Sequence, residues 1–141
     1  MKVLDASMAL AWLFPRVDPS EYALADRALD ELDHEEFLVP AIWHTEVSNA
    51  ILRGERKGLV TSSQSASFLA ELALADIETD SDPPQLRQPV VLALARSHAL
   101  TAYDATYLEL ALRMGAVMAT FDQRLAEAMR KAGGRVFGDA P

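Results

Sequence analysis

Lys2-Val3-Leu4-Asp5-Ala6-Ser7-Met8-Ala9-Leu10-Ala11-Trp12-Leu13-Phe14-Pro15 decides how the chain is read. An apolar run ends at an acid, and an alanine- and leucine-rich stretch follows, with Ser7 as its cap and Pro15 as its stop. This predicts a strand from Lys2 to Asp5 feeding a helix over Met8 to Phe14. The alternation then repeats. Ser20 is the expected cap of a helix from Glu21 to Asp33, whose Ala25, Leu29 and Leu32 recur at helical spacing. Phe37-Leu38-Val39 reads as a second strand ended by Pro40. A helix from Ala41 to Arg53 carries Trp43, Val47, Ala50 and Ile51 on one stripe, with Gly54 and Gly58 around its end. Ser62 or Ser63 starts another, bearing Phe68, Leu69, Leu72 and Ala73.

Ile77-Glu78-Thr79 reads as a weak third strand, and Asp80 to Pro84 as a loop. Helices follow from Gln85 or Pro89 to His98, and from Tyr103 to Arg113, the latter stopped by Gly115. A strand from Ala116 to Thr120, a helix from Gln123 to Ala132, the pair Gly133-Gly134 and a last strand Arg135-Val136-Phe137 complete the pattern. Short strands alternating with longer helices specify an α/β fold with a central, mostly parallel sheet of four to five strands. Neither an internal repeat nor a low-complexity segment interrupts it.

A chain of 141 residues corresponds to one domain, 1–141, large enough to bury a core unaided. With no cysteine, disulfides and thiolate metal sites are excluded, and the composition fits a reducing, cytoplasmic setting. The first apolar run stops at Asp5 and lacks a basic leader, so no secretory signal is expected. No stretch reaches the ~20 apolar residues of a membrane span. Thirteen basic residues against 21 acidic ones give a net charge of −8. That argues against holding nucleic acid by bulk electrostatics, but not against acting on it through bound cations and a local basic patch.

Four acids stand where an element ends or begins: Asp5, Glu46, Asp104 and Asp122. Each has a local explanation. Asp5 can simply end a strand, and Asp122 can cap the helix after it. Asp104 sits three residues after Thr101, as in a capping box. Glu46 heads a polar row with Asn49 and Arg53 that suits a solvated helix face as well as a site. In a parallel sheet, however, loops after the strands gather at one crevice. Carboxylates meeting there repel one another unless a cation lies between them. An oxygen-only ligand set favours Mg²⁺, or Mn²⁺, over zinc. His34, His44 and His98 have no ligand spacing and read as ordinary residues. Trp12, Phe14, Trp43 and Phe68 suit either the core or a surface for a partner.

The segments Val3-Leu4-Asp5-Ala6-Ser7, Glu46-Val47-Ser48-Asn49-Ala50-Ile51, Tyr103 to Ala111 and Thr120-Phe121-Asp122-Gln123-Arg124-Leu125 together resemble the PIN-domain family, and within it the VapC-type toxins of toxin–antitoxin pairs. The resemblance runs from Met1 to the last strand. It implies a three-layer α/β/α sandwich, a homodimer, an RNA substrate, and an antitoxin whose tail enters the site to give a hetero-oligomer. It also implies a catalytic quartet of Asp5, Glu46, Asp104 and Asp122. Asp5, Asp104 and Asp122 would hold metal, and Glu46 would complete the site. Ser7, Asn49 and Thr120 would support them.

The expected activity is Mg²⁺-dependent hydrolysis of RNA phosphodiester bonds, which inhibits translation until the antitoxin neutralises it. Single-stranded or looped RNA suits a compact acidic pocket better than a duplex. Arg53, Arg56, Lys57 and Arg124 are the candidates for contacts with its backbone, although exposed basic residues are more often merely solvated. Two other aspartate-bearing folds fit poorly. A phosphoacceptor receiver needs an acidic neighbour beside Asp5, and a haloacid-dehalogenase-type phosphatase needs an aspartate where Ser7 stands. The competing reading is a PIN-like domain that binds protein or nucleic acid with little nuclease activity.

Overall fold

The computed structural model describes residues 1–141. Four strands form one parallel sheet: β1 (Lys2–Leu4), β2 (Phe37–Val39), β3 (Ile77–Thr79) and β4 (Val117–Ala119), in the order β3-β2-β1-β4. Every residue of β1 and β2 is buried, as expected of strands covered on both faces. At the edge, β3 is mostly exposed. Seven helices connect and flank the strands: α1 (Ala6–Leu10), α2 (Pro19–Glu31), α3 (Ile42–Arg56), α4 (Ser62–Leu74), α5 (Pro84–His98), α6 (Ala102–Met114) and α7 (Gln123–Lys131).

The chain steps outward from β1 through β2 to β3, then crosses back to place β4 on the other side of β1. Right-handed crossovers in opposite directions put their helices on opposite faces. The packing agrees, since α1 meets α2 and α3, while α6 meets α5 and α7 and also touches β1 and β4. The result is a three-layer α/β/α arrangement around one apolar core. Val3, Leu4, Phe37, Val39, Tyr107, Leu108 and Met118 are completely buried in it. No helix is long and apolar enough to cross a membrane.

Several expectations need correction. Arg135-Val136-Phe137 is not a fifth strand; only an isolated Met118–Val136 bridge forms. Ser7 does not cap α1. It lies inside the helix, and its hydroxyl is spent on Asp5 and Phe121. The cap of α2 is Asp18 rather than Ser20, because its carboxylate accepts from the backbone N–H groups of both Ser20 and Glu21. The first helix spans Ala6–Leu10, so Trp12 to Phe14 lie in turns. Pro89 lies inside α5 rather than opening it. Gly54 lies inside α3, where a Cβ would strike the Phe14 ring, and the stop comes at Gly58 with φ +70°. Of the four aromatics, Trp43 and Phe68 are core residues, and Trp12 and Phe14 are half-buried.

Candidate active site

The direction of stepping reverses between β1 and β4, and the crevice of an open parallel sheet lies beyond the carboxyl ends of the strands at such a point. Asp5 immediately follows β1, and Thr120-Phe121-Asp122 follows β4. Helix α3 leaves the carboxyl end of β2 and carries Glu46 in its second turn. Helix α6 runs towards the amino end of β4, so its own first turn, with Asp104, lies at the same edge as the other three acids. Strand order alone therefore brings four separated elements to one place.

Asp5 is the fixed point. Only 6% of its surface is exposed, and its Oδ2 accepts from Ser7 Oγ at 2.6 Å and Thr120 Oγ1 at 2.7 Å. Both hydroxyl protons are thereby committed, so the 3.3 Å approach of Ser7 Oγ to Thr120 Oγ1 is a contact between two acceptors. The same hydroxyls accept from the other side. Ser7 Oγ takes the Phe121 N–H at 2.9 Å, and Thr120 Oγ1 takes the Asp122 N–H at 2.9 Å. Two small side chains thus stitch the turn after β1 to the turn after β4. Both side-chain bonds fall on Oδ2, and the Ala6 backbone N–H adds its own pull on the carboxylate.

The other acids are half-buried and face Asp5 electrostatically. Burial pushes the Asp5 carboxyl above its ordinary pKa, against the pull of the Ser7 and Thr120 hydroxyls, and the charge of Asp122 pushes it further. Burial likewise raises Glu46; the Tyr107 hydroxyl opposes this, and the charges of Asp5 and Asp104 add to it. Asp104 is raised by burial and then by Asp122 and Asp5, with Thr101 and Arg124 pulling it down. Asp5, Glu46 and Asp104 each feel at least one other acid of the quartet, and Asp122 acts on two of them, so the four lie near one negative cup. Asp122 also caps α7, its Oδ1 accepting from the Leu125 N–H at 2.9 Å.

Tyr107 has a role that the sequence pattern did not assign. Its side chain is fully buried, and its hydroxyl donates to Glu46 Oε1 at 2.7 Å. Burial, then the charges of Asp5 and Glu46, hold the phenol well above its usual pKa, so it stays a donor. The signal was its place three residues after Asp104, on the same side of the helix.

The remaining predicted residues fall in two groups. Arg124, exposed at the start of α7, reaches the cup through its effect on Asp104. Arg53, Arg56 and Lys57 are exposed near the end of α3 and make no ion pair or hydrogen bond with the acids; nor does Asn49. A cleft of about 460 Å³ is lined by Pro40, Ile42, Tyr103 and the Ser81–Pro84 loop, and by none of the four acids. His44 bonds Thr79 at 2.8 Å, away from the acids, and takes no part.

All the candidate ligands are oxygens, which suits a hard dication. As the side chains stand, no group of three acids or histidines is placed to hold one ion. Asp5, Asp104 and Asp122 carry oxygen donors of the type such an ion would take.

A model of the PIN domain matches residues 2–131. The chain belongs to the PIN domain family. Over 127 residues this PIN domain is 33% identical to Ribonuclease VapC3 of Pyrobaculum aerophilum, covering 89% of the chain and 92% of that relative. The crystal structure of PAE2754 from Pyrobaculum aerophilum superposes with a TM-score of 0.68 at 26% identity, over 90% of this chain and 84% of the other. FitAcB from Neisseria gonorrhoeae shares the fold with a TM-score of 0.61 at 19% identity, over 98% and 97% of the two chains.

Proposed function

We propose that this PIN domain is a metal-dependent endoribonuclease and the toxin of a toxin–antitoxin pair, hydrolysing RNA phosphodiester bonds and so inhibiting translation until its antitoxin binds. The observation that carries the reading is the convergence of Asp5, Glu46, Asp104 and Asp122 at the crevice between β1 and β4. The similarity to a protein named as a VapC ribonuclease supports the RNA substrate and the antitoxin partner. A homodimer in the cytoplasm, with a hetero-oligomer when antitoxin is bound, completes the proposal.

Within this reading Asp5, Asp104 and Asp122 hold the dication, either directly or through its waters. Mg²⁺, or Mn²⁺ in its place, supplies a lowered pKa for bound water and neutralises phosphate charge. The protein's own contribution is placement. Ser7 and Thr120 both hold the Oδ2 oxygen of Asp5. Tyr107 fixes Glu46, which is then a carboxylate available to orient the attacking water. Arg124 meets the phosphodiester beside the acids, while Arg53, Arg56, Lys57 and Asn49 lie further along α3, where they serve the outer strand.

Purified protein is mixed with total RNA in Mg²⁺, in EDTA, and in EDTA followed by excess Mg²⁺. Cleavage that disappears with EDTA, returns with Mg²⁺ and is absent from Asp104→Asn is the expected result. Tight capture of a partner with no cleavage at any metal concentration would instead establish the domain as a binding module.

A further inference from the structure

Six of the thirteen basic side chains are occupied. Lys2, Arg16, Arg27, Arg87, Arg113 and Arg130 are all tied to carboxylates. Of the seven without such a partner, Arg124 and Lys131 lie on one face of α7 together with Glu127 and Ala128. With Ser97, His98 and Ala99 from the end of α5, that face lines a groove of about 400 Å³.

Arg124, in the lining of the groove, stands two residues after Asp122, at the start of α7. Lys131 lies two helical turns further on, about 10.5 Å along the axis at ~1.5 Å per residue. The two cations are therefore spaced along the groove so that each can meet a different phosphate of one strand. His98, half-buried at the opposite wall, adds a hydrogen-bond donor in either protonation state. Glu127 is the one acid in the lining. The walls carry no large apolar or aromatic side chain apart from this imidazole, so they offer neither an anchor for a hydrophobic helix nor a broad stacking platform. What they offer is charge spaced along a line.

We propose that the groove between the end of α5 and α7 is the channel that holds the sugar–phosphate backbone of single-stranded RNA on one side of the cleaved bond, with Arg124, His98 and Lys131 as its phosphate-contacting groups. The identity of the strand as substrate rests on the endoribonuclease reading. The contacts are to backbone, so they position the strand and carry no sequence information.

The test is fluorescence anisotropy of a short labelled single-stranded RNA with the intact protein in EDTA, over a range of salt, for wild type, Lys131→Gln, the Lys131→Gln/His98→Gln pair and Glu127→Gln. Lys131 and Glu127 are exposed, so the fold tolerates both changes. Lys131→Gln is expected to weaken binding several-fold. It should also reduce the slope of log K against log salt by about 0.7 for the lost phosphate contact, equally for RNAs of scrambled sequence. Glu127→Gln is expected to tighten binding, an effect no loss of structure imitates. Wild-type affinity and slope in both Lys131 variants overturn the proposal. So does a Lys131→Gln protein that keeps its RNA affinity but loses an acidic protein partner, for the groove then belongs to that partner. RNA binding that obeys these slopes without any cleavage in Mg²⁺ leaves the groove standing and removes the nuclease reading. No RNA binding at low salt removes both.

Discussion

Replacing Asp5 by Asn takes one charge from the cup and almost no volume, and two effects on stability then oppose each other. The carboxylate accepts two hydroxyl hydrogen bonds, at 2.6 and 2.7 Å. Hydrogen bonds to a charged group are worth roughly 1.5–3 kcal/mol each, against about 1 kcal/mol for a neutral acceptor. Asn keeps both bonds at the lower value. Against that loss stands the desolvation of a charge that is 6% exposed, several kcal/mol by the usual scale. The charge of Asp122 adds to it. Burial and repulsion win, because their sum lifts the Asp5 pKa despite both hydroxyls. Asp5→Asn should therefore abolish cleavage yet stabilise the metal-free fold by about 1 kcal/mol, a rise in Tm of about 3 °C at this size.

The dependence on pH fixes the sign. A carboxyl raised in the folded state contributes stability that is fully present below its unfolded pKa, about 3.9, and is lost as pH rises through the folded value. The advantage of Asn is thus small near pH 4 and complete above the raised pKa. Added Mg²⁺ stabilises the wild type by mass action and should close the gap. Thermal unfolding of both proteins near pH 4 and pH 8, in EDTA and in Mg²⁺, measures all of this. A variant less stable than wild type at pH 8 in EDTA, or a difference indifferent to pH, would refute the reasoning.

Tyr107→Phe deletes the hydroxyl that holds Glu46 and keeps the ring in the core; turnover should fall about tenfold, a loss of ~1.4 kcal/mol, with KM for RNA nearly unchanged. Because that hydroxyl opposes the upward shift of Glu46, the acidic limb of the pH–rate profile should also move to higher pH, and an unmoved limb with full turnover would show that Glu46 needs no anchor. Ala99→Gly relieves a left-handed alanine at φ 53° and should raise stability by about 0.5–1 kcal/mol in chemical denaturation, since the strain of ~1–2 kcal/mol exceeds the entropy that glycine adds to the unfolded chain. Gly54→Ala gains helix propensity but sets a Cβ within 2.7 Å of Phe14 Cε1, and should destabilise by about 1–2 kcal/mol in the same assay.

The central strands were legible because helices cover both faces, leaving Val3-Leu4 and Phe37-Leu38-Val39 as short apolar runs between polar breaks. Caps were less so, because a capping serine is recognised only by its neighbours. Ser7 has the right neighbours, yet it lies inside α1, where its proton goes to the buried Asp5 carboxylate and its oxygen accepts the Phe121 N–H instead of a helix-end amide. Ser20 lies two residues after Asp18, whose charge wins the same amides. Arg135 to Phe137 has a strand's composition, but Gly133 and Gly138 both turn with positive φ around it, and only Val136 meets β4. Residues at the site were legible as types and positions. Their mutual placement was not, since it depends on β4 pairing with β1, a long-range choice that no local pattern records.

That pairing also explains why the hydroxyls matter as much as the acids. A cup of carboxylates favours its own opening, and the backbone near it consists of two turns that belong to different ends of the chain. Register alone ends at Leu4 and Ala119, one residue short of the acid on β1 and three short of the acid on β4. Beyond that point, side chains must carry the connection: Ser7 and Thr120 each donate to Asp5 and accept a backbone N–H from the opposite or adjoining turn. Alanine at either position removes one donor from the buried carboxylate and leaves one amide unpaired. The repulsion already present would then act on a looser frame. In the proposed nuclease the acids supply the charge for chemistry, and the two hydroxyls tie together the turns that carry it.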